Sequence, residues 1–350
     1  MSVQQRRQRL ILRRLRDRGS ARLTDLAREL GVSAVTLRRD VEHLAEQGLL
    51  TRTHGGVTLP SDLDRPAAET PSLTIGMVVP TAHYYYPAMI KGAQEQAAQA
   101  GARLVLGISH YSDAEDRAQV RQLVDDGIDG LLLTPSRHPD ESHAEWLAGL
   151  PVPTVLVERR AELAGPASTL DAVASDHAHG AYLAARHLAG LGHRGLALVA
   201  NASPTLPGIR AGLSAAAAAL GLEAPAEIVI DRERPEEAVA GVLRLVRDGG
   251  VTGLLVHNDE DAISLVRRLN AAGVHLPGEM SLVAYDDEVA AFCSPSLTAV
   301  APPKEEVGRC AVDLLVTRLT GLARRPGAAG RHVALLPELR VRESTASISL

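Results

Sequence analysis

The stretch GVSAVTLRRDVEHLAEQG at residues 31–48 determines the fold of the N-terminal part of the chain. Ser33 is a residue type that favours a helix N-cap, and Gly48 is one that favours a helix end. Between these ends, apolar side chains recur at helical spacing and face the core, namely Leu37, Val41 and Leu44. The polar and arginine side chains of the first two turns therefore point away from the core.

Two more helices are predicted before this one. The first spans about residues 4–18, and the second spans LTDLAREL at residues 23–30 with Thr24 as its N-cap. Gly31 forms the tight turn between the second and third helices. The apolar stripe of the first helix consists of Leu10, Ile11 and Leu15.

After the third helix, LLTRTHGGV at residues 49–57 alternates and turns at its two glycines, which predicts a short β-hairpin. Helix, turn, helix and hairpin in this order are typical of a winged helix-turn-helix, which places one helix in the major groove of DNA. Hydroxyl groups suit phosphates, and guanidinium groups suit phosphates or guanine edges. The predicted DNA-binding residues are Ser33, Thr36, Arg38 and Arg39 on the helix and Arg52 and His54 on the hairpin.

Charge is distributed unevenly along the chain. Residues 1–57 hold 12 Arg and no Lys against 3 Asp and 3 Glu, a net charge of +6, so the remainder carries −11 of the total of −5. A basic head on an acidic body indicates a polyanion-binding module fused to a second function. Cys293 and Cys310 lack metal-ligand spacing, and no signal peptide or long apolar run is seen, so we expect a cytoplasmic protein without a membrane span.

Residues 5–57 resemble the winged helix of the DeoR family of bacterial repressors. The resemblance implies a repressor whose partner is operator DNA. The alternative is an arginine-rich helical hairpin whose charged face is only solvated or docks on a partner. The matching motifs are Leu26-Ala27, Val32-Ser33, Thr36-Leu37-Arg38-Arg39-Asp40 and Arg52-Thr53-His54-Gly55-Gly56.

The composition changes after this head. Residues 58–72, TLPSDLDRPAAETPS, are rich in Pro, Asp, Ser and Thr and lack periodicity, which predicts a linker. We therefore expect a DNA-binding domain at residues 1–57 and a second domain at residues 73–350.

From residue 73 onward, short apolar runs alternate with amphipathic stretches, which predicts parallel sheets covered by helices on both faces. Because about eight strand–helix units exceed one sheet, we expect two Rossmann-like lobes, with a closed (β/α)₈ barrel as the alternative. The predicted strands are 74–79, 103–108, 129–134, 153–158, 195–200, 227–230, 253–257 and 281–285. The predicted helices include 87–100, 114–126, 177–191, 207–220, 235–248 and 259–272.

Ligands of such folds bind at the carboxyl ends of the strands, in the cleft between lobes. PTAHYYYP at residues 80–87 follows the first predicted strand and holds three of the six tyrosines. Rings so placed suit stacking on a sugar or base, with core packing or an interface as the alternative. Charged and amide side chains follow other strands, namely Glu158, Arg159, Asp176, Asn258 and Asp286.

Residues 73–346 carry a series of motifs, which include IGMVVP (75–80), LAGLGHRGLALVA (188–200), GIRAGLSAA (208–216) and HNDEDAISLVRRLNAAGVHLPGEMSLVAYDD (257–287). With these motifs the region resembles the effector domain of the lac-repressor family, which shares its fold with type I periplasmic sugar-binding proteins. The resemblance implies that residues 73–350 are an effector-binding and dimerisation domain, that Tyr86 packs on the ligand, and that Glu158, Asp176 and Asp286 accept hydrogen bonds from its hydroxyls. Family members often carry a ligand-binding arginine at the position of Thr205, so Thr205 is a candidate ligand residue and Arg159 is a candidate replacement donor.

The expected fold class is α/β, with an N-terminal winged helix-turn-helix followed by a two-lobed Rossmann-like domain of the periplasmic-binding-protein type. The expected function is a transcriptional repressor controlled by a sugar, polyol or nucleoside and acting as a homodimer without a cofactor or metal. The headpiece argues against a solute-binding component of a transporter. An enzyme is disfavoured because the chain has no Walker loop, no Gly-x-Gly-x-x-Gly after a strand and no recognisable nucleophile motif.

Overall fold

The structure, a computed structural model, describes residues 10–11, 14–15, 20–46, 50–53, 56–58, 73–137, 141–159, 169–248, 250–320 and 329–348. The chain folds into two compact units, Met1–Thr70 and Pro71–Leu350. Apart from Thr58, the predicted linker at residues 58–72 falls outside the described residues.

The N-terminal unit packs helices against a three-stranded antiparallel sheet with strand order β1-β3-β2. This is the winged helix-turn-helix that the sequence predicts. Its elements are β1 (Ser20–Arg22), α1 (Leu23–Glu29), α2 (Ala34–Glu46), β2 (Thr51–Thr53) and β3 (Gly56–Thr58). Its buried core includes Ile11, Leu15, Leu26, Leu37, Val41, Leu44, Leu50 and Val57.

Two details of this unit differ from the sequence prediction. Leu10, expected in the apolar stripe of the first helix, is 46% exposed, whereas Ile11 is fully buried. Helix α1 begins at Leu23 with Arg22 at its N-cap, so the predicted cap at Thr24 is wrong. The reason is strand β1, which occupies the three residues before the helix. A three-residue edge strand offers too little alternation to be predicted from sequence.

Lobe 1 of the C-terminal unit is built on a six-stranded parallel sheet with strand order β14-β8-β7-β6-β4-β5. Its strands are β4 (Leu73–Val79), β5 (Ala102–Ile108), β6 (Gly130–Leu133), β7 (Thr154–Val157), β8 (Asp171–Ser175) and β14 (His332–Leu335). Its helices are α3 (Tyr86–Gln99), α4 (Asp113–Asp125), α5 (Glu141–Ala148) and α10 (Lys304–Thr320).

Lobe 2 is built on a second six-stranded sheet, with order β10-β9-β11-β12-β13-β15, in which only β15 is antiparallel to its neighbour. Its strands are β9 (Gly195–Ala200), β10 (Ala226–Val229), β11 (Val251–His257), β12 (Ser281–Tyr285), β13 (Thr298–Ala301) and β15 (Glu338–Arg340). Its helices are α6 (His177–Gly190), α7 (Leu206–Leu220), α8 (Pro235–Asp248) and α9 (Asp259–Ala271).

Two separate sheets confirm the two-lobed prediction and exclude the closed barrel. The eight predicted strands all form within two residues of their predicted ends. Strand β8 is not predicted, because its sequence DAVAS is buried along its whole length yet contains only one sizeable apolar side chain. The sequence also does not predict α5 or β15.

The chain crosses between the lobes three times, at residues 175–177, 301–304 and 335–338. Helix α10 therefore packs in lobe 1 although it follows β13 of lobe 2. Two glycines bring the backbones of α3 and α10 into contact. A Cβ atom on Gly92 would overlap the carbonyl oxygen of Glu305, and one on Gly308 would overlap that of Met89. This contact fixes α10, and with it the second crossing, against lobe 1.

Replacing Gly92 by Ala should therefore destabilise lobe 1. The added methyl group finds no space against α10, so the helices must separate, at a cost of about 1–3 kcal/mol in the free energy of unfolding. Gly190→Ala is the matched control, because Gly190 also lies in a helix but has no atom within 4 Å of an added Cβ. Urea unfolding measures both variants, and equal midpoints would contradict the close contact.

Candidate functional site

Helix α2 presents the predicted DNA-binding side chains. Ser33, Arg38 and Arg39 are exposed, and Thr36 is half-buried. The Thr36 amide donates a hydrogen bond to Ser33 Oγ at 3.1 Å, and the Thr36 hydroxyl lies 2.8 Å from the same oxygen. Ser33 is thus the N-cap of the helix, as predicted. The guanidinium groups of Arg38 and Arg39 belong to the second turn and are open to a partner.

The predicted wing lies only partly within the described residues. Arg52 lies in β2, which pairs with β3 as a hairpin. His54 falls outside the described residues. The described part of the N-terminal unit therefore brings four of the six predicted DNA-binding residues onto one helix and its cap.

A cleft of about 790 Å³ lies between the two lobes of the C-terminal unit. Its volume is in the range of small-molecule sites, roughly 300–1,000 Å³. Because parallel strands in a sheet end at the same edge, the loops that follow them meet here. Lobe 1 and the first crossing contribute Tyr84, Tyr85, Tyr86, Tyr111, Ser136, Glu158, Arg159 and His177. Lobe 2 contributes, among others, Asn201, Thr205, Arg232, His257, Asn258 and Asp286.

Several of these residues adopt a left-handed backbone conformation, which residues other than glycine rarely adopt. The φ angle is +57° at Tyr84, +59° at Tyr111, +55° at Glu158 and +87° at Asp286. Such residues cost of order 1–3 kcal/mol each and cluster at ligand sites. All four lie in loops that follow β4, β5, β7 and β12, so the backbone strain is concentrated along the cleft.

Tyr85 and Tyr86 form an aromatic wall on the lobe 1 side. Their rings meet edge to face, with centroids 5.7 Å apart. Tyr86 is 5% exposed and packs in the lobe 1 core while it also lines the cleft. Burial raises the pKa of the Tyr86 hydroxyl, so that group remains protonated. The two readings offered by the sequence, core packing and a cleft surface, therefore both hold for Tyr86.

Glu158 is a buried carboxylate held by several donors. Its Oε1 accepts hydrogen bonds from the hydroxyls of Tyr85 and Ser175, both at 2.8 Å, and its Oε2 accepts from the Ser175 amide at 3.2 Å. His177 Nε2 lies 3.5 Å from Oε2. Burial alone would raise the pKa of Glu158, but these contacts with His177, Tyr85 and Ser175 lower it to about 2. Glu158 is therefore ionised at neutral pH.

Asp286 lies opposite, at the end of β12. The Tyr84 hydroxyl donates to Asp286 Oδ2 at 3.3 Å and also to Asp259, so a lobe 1 side chain reaches two lobe 2 acids. Lys304, at the second crossing, donates to the Asp286 carbonyl oxygen. Burial raises the pKa of Asp286 to about 7; the Lys304 charge opposes this rise and the Asp259 charge adds to it. Asp286 thus exchanges between neutral and ionised forms near neutral pH.

Two histidines complete the floor of the cleft. His177 Nδ1 lies 3.3 Å from the hydroxyl of the buried Tyr285, and His257 Nε2 lies 3.4 Å from Thr205 Oγ1. Burial, aided by the nearby charges of His177 and Arg232, lowers the pKa of His257 to about 3, so that ring is neutral. Among the described residues, His257 Nδ1 is a buried nitrogen without a hydrogen-bond partner, whereas His177 Nε2 faces the Glu158 carboxylate.

Three further predicted residues line the cleft. Arg159 is buried and donates to the Glu158 carbonyl oxygen at 2.7 Å. Asn258 caps α9 by accepting a hydrogen bond from the Asp261 amide at 3.2 Å. Thr205 lies before α7, 2.9 Å from Ser203 Oγ. With Tyr86, Glu158 and Asp286, they are the six predicted ligand residues that the fold brings together.

Asp176 requires a correction. It is not among the cleft-lining residues, although the sequence places it there. Its Oδ1 accepts a hydrogen bond from the His179 amide at 2.9 Å, so it is the N-cap of α6. An acid that directly precedes a helix is claimed by the free amides of the first turn.

Sequence reasoning misses several cleft residues. Tyr111, Arg232 and His257 lie at or just after the ends of predicted strands, so a systematic reading of strand ends would have found them. His177 follows β8, and because that strand is not predicted, no sequence pattern identified this histidine. Tyr84 is recognised as part of the tyrosine run, but its contact with lobe 2 depends on how the fold places the two lobes opposite each other.

Comparison with known families agrees with a division of the chain into a helix-turn-helix and a two-lobed domain. Residues 7–62 match the DeoR-like helix-turn-helix domain, and residues 185–345 match the periplasmic binding protein-like domain. The chain joins a DeoR-like helix-turn-helix to a periplasmic binding protein-like domain. Both resemblances predicted from the sequence are thereby confirmed.

Curated relatives span nearly the whole of this two-domain chain. The arabinose metabolism transcriptional repressor of Geobacillus stearothermophilus is 26% identical over 339 residues, which cover 93% of this chain and 90% of the relative. The HTH-type transcriptional repressor PurR of Haemophilus influenzae (strain PittEE) is 25% identical over 343 residues, which cover 94% and 99%. Both relatives are named as transcriptional repressors, which is the class of protein that the sequence predicts.

Solved structures share the fold. A LacI family transcriptional regulator from Enterococcus faecium with bound ribose is 25% identical with a TM-score of 0.64, covering 79% of this chain and 100% of that one. The complex of the transcriptional regulator CelR with cellobiose is 25% identical with a TM-score of 0.65, covering 89% and 91%. The lac repressor dimer bound to operator has the same fold, at 22% identity and a TM-score of 0.67, covering 80% and 96%.

Two features are absent from the described residues. Among these residues, no helix combines the length and the apolar character needed to cross a bilayer. In the same part of the chain, no group of three or more His, Cys, Asp or Glu side chains is arranged to hold a metal ion.

The raised pKa of Asp286 predicts a pH-dependent stability difference between the wild type and Asp286→Asn. Between the unfolded pKa of about 4 and the folded pKa of about 7, the unfolded chain releases a proton that the folded chain keeps. The wild type therefore loses stability as pH rises through this window, whereas the amide variant does not. The difference in free energy of unfolding between the variant and the wild type should grow by up to about 4 kcal/mol as pH rises and level off above pH 7. Urea titrations from pH 4 to pH 8 measure it, and a constant difference would contradict the assignment.

Proposed function

We propose that this chain is a DNA-binding transcriptional repressor whose operator binding is controlled by a small effector, a sugar, polyol or nucleoside. The carrying observation is the interlobe cleft, where tyrosine rings and hydrogen-bonding acids from both lobes meet. A helix-turn-helix fused to such a cleft links ligand concentration to DNA binding.

The DNA-binding role is assigned to α2 and the hairpin after it. Arg38 and Arg39 are exposed on the helix that a winged helix-turn-helix inserts into the major groove. Ser33 and Thr36, at the helix start, suit contacts with phosphates. Arg52 and His54 complete the proposed interface on the wing. Two full-length relatives that are named as repressors support this assignment.

The ligand-binding role is assigned to six cleft residues. The rings of the tyrosine wall offer apolar contact, and the carboxyl and amide groups select hydroxyl groups. A site built on such bonds rejects analogues that lack a hydroxyl, because a buried acceptor is then left unpaired. The sugar-bound state of two structural neighbours supports a sugar-like ligand. The residues are Tyr86, Glu158, Arg159, Thr205, Asn258 and Asp286.

Control of DNA binding follows from the two-lobed construction. A ligand that contacts both lobes binds one lobe arrangement better than another, and this difference in affinity is the only means by which it shifts their populations. In a homodimer, lobe movement changes the spacing of two headpieces, and paired headpieces read two half-sites of one operator. We therefore propose a cytoplasmic homodimer, with the domain boundaries near residues 57 and 73.

Replacing Arg39 by Ala should weaken operator binding by about 1–3 kcal/mol if the side chain reads a base. Arg28→Ala is a matched control, because Arg28 is an exposed arginine of the other helix and bonds Asp25. Fluorescence anisotropy over a salt series measures affinity, with a log–log slope near −0.9 for each phosphate neutralised. Unchanged affinity for both Arg38→Ala and Arg39→Ala would remove α2 from the interface.

Replacing Asp286 by Ala should abolish the response to effector while leaving operator binding by the free protein nearly intact, if the effector is an inducer. The effector is found by a thermal-shift screen, since a ligand at 100 times its dissociation constant adds about 2.7 kcal/mol of stability. Asp287→Ala is the control, because Asp287 pairs with Arg340 and Arg342 and does not line the cleft. An Asp286→Ala variant that binds the effector like the wild type would show that Asp286 is only a turn residue.

A further inference from the structure

Arg159 is the only arginine that is fully buried among the described residues, at 6% exposure, and it lines the cleft. Its Nη1 bonds the carbonyl oxygen of Glu158, and its Nε is buried without a hydrogen-bond partner in the described part of the chain. Burial raises the pKa of the Tyr86 hydroxyl while the Arg159 charge opposes that rise, which places the guanidinium beside this ring. Arg159 therefore lines the cleft with one guanidinium nitrogen that has no hydrogen-bond partner in the described part of the chain.

Other partly buried arginines of the same unit contact carboxylates. Arg318 bonds both oxygens of the buried Asp171, at 2.6 and 2.9 Å, and Arg342 bonds Asp287 at 2.7 Å. Arg159 has no carboxylate oxygen within 4.0 Å among the described residues. Because a buried cation without a counter-charge is strongly unfavourable, such a group points to a partner that arrives with a ligand.

Two acids that line the cleft, Glu158 and Asp286, are engaged with other groups. Both oxygens of Glu158 accept hydrogen bonds from its own neighbours in lobe 1, and Asp286 accepts one across the cleft and is neutral in part near pH 7. His257 Nδ1, which has no hydrogen-bond partner among the described residues, suits a hydroxyl group. Within the described part of the chain, the cleft thus offers a buried guanidinium without a carboxylate partner, beside groups that suit hydroxyls.

We propose that the effector is a sugar acid, an aldonate or uronate, whose carboxylate pairs with Arg159. This inference rests on the proposed function and narrows its ligand class. The planar guanidinium fork matches a carboxylate with two parallel hydrogen bonds. One unpaired charge balances a carboxylate, whereas a phosphate carries up to two negative charges, so the geometry favours the monoanion over a sugar phosphate.

The first test needs no ligand. If the chain itself leaves Arg159 unpaired, Arg159→Gln in the full-length protein removes a buried charge without breaking an ion pair, so the thermal midpoint of the free protein should stay equal or rise. Arg318→Gln is the matched control and should lower the midpoint, because it removes two charged hydrogen bonds from the buried Asp171. A fall for Arg159→Gln as large as that for Arg318→Gln would overturn the proposal, since it would show a partner within the chain.

The second test compares matched ligands by calorimetry: glucuronate with glucose, galacturonate with galactose, and gluconate with glucitol. At least one acid should bind ten times more tightly than its neutral partner. Arg159→Gln should weaken that acid at least tenfold, and Arg159→Lys should restore part of the loss. Arg210→Gln is the control, because Arg210 pairs with Glu227 and does not line the cleft, and it should change affinity less than threefold.

Several outcomes overturn the inference. A neutral partner that binds as tightly as its acid would overturn it while leaving the proposed function intact. A sugar phosphate that binds more tightly than every acid would do the same. If no compound of either series binds, this inference fails, and the proposed function is then judged separately on operator binding by the free protein.

Discussion

The position of the cleft depends on one constraint: two parallel sheets share a single chain that passes between them three times. Helices cover both faces of each sheet, so the strand ends are the surface where polar side chains can gather without burying unpaired groups in the core. The crossings hold the two sets of strand ends opposite one another. Tyr84 and Lys304 then span the gap, and both reach the loop that begins at Asp286.

Charge in the cleft is ordered by the same neighbours that position it. Glu158 is kept ionised because several donors converge on it, whereas Asp286 is brought close to neutrality by burial beside a second acid. The two carboxyl groups therefore differ in charge at neutral pH although both are buried. A hydroxyl-rich ligand can meet a strong acceptor on one side and a group able to accept or donate on the other.

Much of the fold follows from sequence periodicity, because buried parallel strands appear as apolar runs separated by long amphipathic stretches. Elements without that contrast are lost: β8 is made mainly of small residues, and β15 is a three-residue edge strand. The sequence predicts the site only in part. It identifies Glu158, Asn258 and Asp286 at the ends of recognised strands and misses others at such ends, and it misplaces Asp176 because sequence alone does not distinguish a helix cap from a ligand contact. His177 lies behind the missed strand.

Helix α10 comes late in the chain but belongs to lobe 1, which affects how the protein folds during synthesis. Its side chains Val307, Ala311, Val312 and Leu315 complete the core of lobe 1, and β14 extends the lobe 1 sheet after it. Folding during synthesis usually proceeds from the N-terminus. Here the first lobe to emerge from the ribosome must wait for α10 and β14, which are made only after β9 to β13 of lobe 2. The nascent chain therefore carries an unfinished apolar surface for most of its synthesis, and an early stop codon near the C-terminus would damage the lobe that was started first.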